Sequence, residues 1–210
     1  SLTIIQIKPA SLIENNVRTV FVHKKNSDIW VGVADSVCRW NPVQHQPELV
    51  LKIEGCLVQK IFIDSRNYLW IGTQKGLYRS TDRRNVELMI PGEDIYQLYE
   101  DSKANLWVAT REKGMYQIDK RDCIQKFMQI VGNPNSLASD QVRDFVEDNE
   151  GNLWIGTFRG LNRYDPHTGR FILHQQDSKP GSLLHSSVFS ICKDRQGSIW
   201  LGTYYGGVHF

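Results

Sequence analysis

The side chains able to do chemistry are scattered through this 210-residue chain rather than grouped in a known catalytic pattern. It holds six histidines (His23, His45, His167, His174, His185, His209) and four cysteines (Cys38, Cys56, Cys123, Cys192). A zinc peptidase would need His-Glu-x-x-His, so that two imidazoles share one helix face with a carboxylate base; the sequence has none. A serine hydrolase would need Gly-x-Ser-x-Gly, and that is absent too. Glycoside hydrolysis needs two carboxylates whose partners come from distant positions, so spacing alone leaves it open. Most Asp and Glu, however, fall at repeated positions such as Asp148 and Asp194, where a turn requires them. Of the histidines, only His185, next to the start of a strand, is a candidate for such work. No Cys-x-x-Cys occurs, and the cysteine spacing suggests no disulfide framework. The cysteines read as small apolar residues of strands. Asp148-Asn149-Glu150-Gly151-Asn152 lacks the ligand spacing of a calcium loop and reads as a turn whose Asp bonds its own backbone. No catalytic residue, metal or cofactor is expected.

What positions the remaining side chains is a repeat. Five of the six tryptophans lie in one motif: Ile29-Trp30-Val31-Gly32-Val33, Leu69-Trp70-Ile71-Gly72-Thr73, Leu106-Trp107-Val108-Ala109-Thr110, Leu153-Trp154-Ile155-Gly156-Thr157 and Ile199-Trp200-Leu201-Gly202-Thr203. The steps between them are 40, 37, 47 and 46 residues. Asp64, Asp101, Asp148 and Asp194 lie six places before Trp; Ile61, Leu98, Phe145 and Ile191 lie nine before; Val58, Ile95, Val142 and Val188 lie twelve before. Gly76, Gly114, Gly160 and Gly207 follow. The first copy departs, with Lys24 for the Asp and Ser36 for the Gly.

The spacing predicts strands, with no helical period anywhere. In the fourth copy these are Val142–Glu147, Leu153–Thr157, Leu161–Tyr164 and 170–175, separated by turns rich in Asp, Asn, Gly and Pro. Four short antiparallel strands per ~42 residues make a propeller blade. The Trp strand is apolar on both faces, as a strand between two neighbouring blades must be. The Gly two places after Trp leaves room for the neighbour's approach. The expected fold is therefore all-β, a β-propeller-type array of five four-stranded blades. The repeat units are 17–54, 57–91, 95–131, 141–176 and 187–210, the last completed by a strand at 3–8. Thr3–Lys8 reads as the outer strand either of a preceding blade in a larger propeller or of blade five, closing the ring. Trp40, on the third strand of blade one, is the tryptophan that core packing does not already explain.

The run Val-x-x-Phe-x-Glu-Asp-x-x-Gly-Asn-Leu-Trp-Ile-Gly-Thr-x-x-Gly-Leu-x-Arg-Tyr-Asp, from Val142 to Asp165, resembles the two-component regulator propeller repeat. All five copies fit it to some degree. The resemblance implies the periplasmic sensor region of a hybrid two-component system, which binds oligosaccharides and signals to a histidine kinase and response regulator through a membrane span. No such later modules occur in these 210 residues, so the chain reads as a fragment of a larger sensor.

In such a fold the turns between second and third strands share a rim with the blade-to-blade loops. Those tips are Gln74-Lys75, Arg111-Glu112-Lys113, Phe158-Arg159 and Tyr204-Tyr205, and they vary while the scaffold repeats. Aromatic faces stack on sugar rings, and Arg or Lys donate to hydroxyls, carboxylates or sulfates. The candidate ligand-binding residues are Arg159, Tyr204, Tyr205, Lys75 and Arg111, in that order. The plain alternative is that hairpin tips are polar because they are wet. The same rim could instead meet a second propeller or form a homodimer. A third reading is a propeller lyase using His185.

Composition narrows the partners. Twenty-five Lys and Arg against 23 Asp and Glu leave a net charge of +2, too small and unclustered for nucleic acid. No apolar run approaches the ~18 residues of a membrane span, so any membrane contact would come through the parent protein.

Overall fold

In the computed structural model, Val17 to Phe210 are described, apart from Lys24 and Pro180. The segment predicted to close the ring, Thr3–Lys8, lies outside the described residues. The fold is all-β: among the described residues 19 strands form five antiparallel sheets, each ordered as in the sequence. The first sheet is β1 (Val17–Val22), β2 (Ile29–Val33), β3 (Ser36–Asn41) and β4 (Gln46–Lys52). The second is β5 (Val58–Ile63), β6 (Leu69–Thr73), β7 (Gly76–Ser80) and β8 (Glu87–Pro91). The third is β9 (Ile95–Glu100), β10 (Leu106–Thr110), β11 (Met115–Ile118) and β12 (Ile124–Phe127). The fourth is β13 (Val142–Glu147), β14 (Leu153–Thr157), β15 (Gly160–Asp165) and β16 (Arg170–His174). The fifth has three strands, β17 (Val188–Lys193), β18 (Ile199–Thr203) and β19 (Gly207–His209). The chain divides after Ile95 into two compact units.

In the first unit the core joins Val37, Leu51, Val58, Ile61, Leu69 and Ile71 to Trp30. All five residues of β6 are buried, as its two apolar faces predict. A Cβ placed on Gly32 would come within 2.7 Å of Val58 Cγ1, and one on Gly72 within 2.6 Å of Ile95 Cγ2. The glycine after Trp thus receives the first apolar residue of the next sheet, which is why the motif needs it. Gly72→Ala should cost about 1–3 kcal/mol through overpacking. Gly202→Ala should cost less, because only the mobile Ser190 hydroxyl stands in the way. Urea unfolding of the two variants checks the contrast. Ala109 at the third copy shows that one extra methyl can be accommodated where the neighbour is arranged for it; it is fully buried beside Val142.

In the second unit one core gathers Trp107, Met115, Leu137, Phe145, Ile155 and Phe171. A second gathers Leu161, Val188, Ile191 and Leu201. Two sequence expectations need correction. The motif tryptophans are not uniformly buried: Trp70 and Trp107 are, whereas Trp200 is 38% exposed, with the Phe210 ring against it at 5.1 Å. The cysteines are not all buried strand residues. Cys38 is buried in β3 and Cys56 in the loop before β5, but Cys123 and Cys192 are exposed. Trp40 is half-buried on β3.

A candidate ligand-binding strip

The side chains that repeat hold the frame. In four copies the Asp six places before Trp accepts a hydrogen bond from the indole. The distances are 2.9 Å for Trp70 to Asp64, 2.9 Å for Trp107 to Asp101, 2.8 Å for Trp154 to Asp148 and 2.8 Å for Trp200 to Asp194. The second oxygen of each Asp accepts from a backbone N–H four residues on, at Tyr68, Asn105, Asn152 or Ser198. One carboxylate therefore closes the turn and anchors the strand that follows. The turn role is visible in the sequence; the indole partner is not. At Asp148 burial opposes ionisation, but hydrogen bonds from Asn152 and Trp154 outweigh it and hold the carboxyl below its usual range. At Asp194 the Trp200 indole is the chief cause of the same downward shift. Trp30, the copy with Lys24 at the Asp position, has a buried indole nitrogen with no acceptor among the described residues. The Arg83 guanidinium lies 5.5 Å over its ring instead.

The hairpin tips are anchored by a second repeated device. Thr73, Thr110, Thr157 and Thr203 donate from Oγ1 to the carbonyls of Gly76, Gly114, Gly160 and Gly207 at 2.8–3.1 Å. Gly160 has φ +151°, and a Cβ there would meet the His174 carbonyl at 2.9 Å. With the tip backbone held from below, the residues on top are free to differ.

The five predicted residues all occupy exposed tips. Lys75 belongs to the first unit, where its backbone carbonyl accepts from Gly92 N at 2.8 Å. Arg159 lines a cleft of about 480 Å³ with Ile130, Pro134, Leu137, Leu173 and Gln175. Arg111, Tyr204 and Tyr205 are joined into a single strip by three residues that sequence reasoning missed. The rings of Tyr204 and Tyr205 meet edge-on, with centroids 4.2 Å apart. Tyr204 stacks on Phe189 at 5.4 Å. Arg143 lies 4.8 Å over Phe189 and 5.2 Å over Tyr96. Arg111 lies 5.4 Å over the same Tyr96. Tyr204 and Tyr205 are 57% and 79% exposed, so each leaves ring surface open to a ligand.

Tyr96, Arg143 and Phe189 are the second residues of β9, β13 and β17, eleven places before each Trp. In β13 and β17 the pairing register shifts at this residue, between Val142 and Asp144 and between Val188 and Ser190; β1 and β5 shift at the same place. A bulge re-aims the side chain that it carries. The signal in the sequence is a position that varies (Gln59, Tyr96, Arg143, Phe189) between positions that repeat.

His185, the acid–base candidate, has a local task. Its Nδ1 accepts from Ser187 N at 3.0 Å, and its ring meets Tyr205 at 5.9 Å. Among the described residues no group of three or more His, Cys, Asp and Glu is placed to hold a metal. No helix among them is long and apolar enough to cross a membrane.

Comparison with known proteins agrees with the repeat. Residues 136–159 and 182–205 match the two component regulator propeller family. Histidine kinase P4 of Formosa agariphila is 31% identical over 185 residues, 78% of this chain and 13% of that protein. An extracellular domain assigned to a one component system of Bacteroides thetaiotaomicron superposes with TM-score 0.53 and 19% identity, over 91% of this chain and 33% of that one. Virginiamycin B lyase from Staphylococcus aureus superposes with TM-score 0.65 and 13% identity, over 92% of this chain and 68% of that one. At these identities the two structural likenesses speak to the propeller fold alone. The chain spans about an eighth of the kinase and a third of the extracellular domain. By its repeat, then, this chain carries two component regulator propeller repeats at residues 136–159 and 182–205, on a propeller fold.

Proposed function

We propose that the chain supplies sensor blades to the periplasmic region of a hybrid two-component receptor, and that its aromatic and cationic strip binds an oligosaccharide. The strip carries this reading: four aromatic rings and two guanidiniums, drawn from three sheets, run continuously across one surface while the scaffold beneath them repeats. Rings offer faces to sugars, and guanidiniums offer paired donors to their substituents. The repeat match and the likeness to histidine kinase P4 support the receptor setting. Occupancy would be coupled to a kinase outside these residues, and the membrane would be reached only through the parent protein. Tyr204, Tyr205 and Arg111 are the proposed contacts on the strip; Arg159 in its cleft and Lys75 at its hairpin tip are proposed contacts as well. No catalytic role is assigned to this chain.

Titration calorimetry against a panel of neutral and acidic oligosaccharides tests this, with the chain alone and within the receptor's whole extracytoplasmic region. Tyr204→Ala should weaken binding about three- to tenfold, the worth of one stacked ring. The reading fails if no glycan of the panel binds either form.

A second reading, a surface for another strand or a second copy, is favoured by the edge of β19. Val208 and Phe210 are 70% and 89% exposed there, and Phe210 covers Trp200 at 5.1 Å. Sedimentation that stays monomeric at high concentration would remove the homodimer form of it.

A further inference from the structure

We infer that Arg143 is the specificity residue of the strip and that it selects an acidic sugar, one bearing a carboxylate or a sulfate ester; this rests on the oligosaccharide reading above. Arg143 is held between two aromatic rings, Tyr96 and Phe189, in the geometry of a cation sandwiched by π faces. Its Nε is buried with no acceptor, and no carboxylate pairs with it among the described residues. The carboxylate next in sequence is already committed. Asp144 accepts from Gln97 Nε2 at 2.9 Å and Phe145 N at 3.0 Å with one oxygen, and from Ile191 N at 2.9 Å with the other. Those bonds tie β9, β13 and β17 together and hold Asp144 away from the guanidinium beside it.

The charge around Tyr96 points the same way. Arg111 and Arg143 lie over one ring at 5.4 and 5.2 Å, so Tyr96 carries two guanidiniums. A planar guanidinium matches the paired oxygens of a carboxylate or sulfate, and the rings keep its plane from rotating. The bulge at Arg143 supplies the aim: a regular strand would send residue 143 in the ordinary alternation, whereas the register shift frees it from that alternation. Flanking rings on Tyr204 and Tyr205 would then take the sugar that carries the acidic group, or its neighbour.

The test is a matched-pair calorimetric titration of the chain. Oligogalacturonides are compared with their carboxyl-reduced forms, and sulfated dextran oligosaccharides with plain dextran oligosaccharides. The acidic member of at least one pair should bind about tenfold tighter or more. Which pair shows the preference separates carboxylate from sulfate. Arg143→Gln should remove the preference, Arg143→Lys should restore part of it, and Tyr204→Ala should weaken both members alike. Equal binding of acidic and neutral members overturns the role of Arg143 while leaving the oligosaccharide reading intact, as does a preference that survives Arg143→Gln. Binding by no member of either pair overturns the acidic-sugar assignment; the broader glycan panel then decides whether the oligosaccharide reading falls with it. Thermal melting of each variant, expected within a few degrees of the parent, separates lost recognition from lost folding.

Discussion

Trp107→Ala should lower the free energy of unfolding by about 3–5 kcal/mol, the largest loss expected from any single truncation in the second unit. The indole is 1% exposed and touches Phe127 and Tyr164, with ring centroids 5.8 and 5.6 Å away. Removing it empties a volume walled by two sheets, and neither can collapse without giving up the other's packing. A protein of ordinary stability has about 5–15 kcal/mol in total, so the variant should sit near the limit of folding. In thermal melting this is about 2–4 °C per kcal/mol for a chain of this size. Trp200→Ala is the control. The motif is the same, but the side chain is 38% exposed and packs on Phe210, so its loss should be under about half as large. Equal losses at the two sites would mean that burial between sheets is not what the motif tryptophan provides.

Asp64→Ala should cost about 2–4 kcal/mol, more than a surface carboxylate warrants. Asp64 is 3% exposed and serves the Trp70 indole at 2.9 Å and Tyr68 N at 2.8 Å; Arg66 pairs with it at 3.3 Å. Its removal leaves a fully buried indole N–H without an acceptor. Asp64→Asn should recover part of the loss, since its carbonyl can still accept. Trp30 shows that a copy survives without this Asp, which sets an upper bound on the damage. Two other motif carboxylates, Asp148 and Asp194, make the fold acid-sensitive. Asp148 and Asp194 both titrate below the ordinary value of 3.8 in the folded chain. A depressed folded value means that the stabilisation is complete above the unfolded value and is lost as pH falls through the folded one. Melting temperature should therefore hold steady down to about pH 4 and decline below it, and Asp148→Asn should shrink that decline. A flat profile from about pH 6 to about pH 2 would remove the turn carboxylates as its cause.

Much of this was legible in the residues themselves. Leu153 to Thr157 reads as a strand buried on both faces because it is apolar on both, and β14 occupies those five positions. Gly72 reads as a place of close approach, and Ile95 fills it. The tips read as variable, and they are exposed. The site reads less well. Of the five proposed contacts, Arg111, Tyr204 and Tyr205 share a surface, while Arg159 faces its own cleft. Tyr96, Arg143 and Phe189 were not anticipated, because alternation along a strand says which face a side chain takes only while the register is unbroken. The bulge breaks it at that residue.

The sequence by itself determined the repeat, the strands, the turns and the structural work of Trp, Asp and Gly, because each of these is a local demand met within about a dozen residues of chain. Only the tertiary structure decided which variable residues stand together. Arg143 meets Phe189 and Tyr96 across 46 and 47 positions of sequence, and no spacing rule spans sheets that are brought side by side by packing. It also decided that Trp200 is partly open and that an indole, not only a turn, waits for each motif Asp. Those facts belong to surfaces made when one sheet covers another, and a one-dimensional pattern carries no record of them.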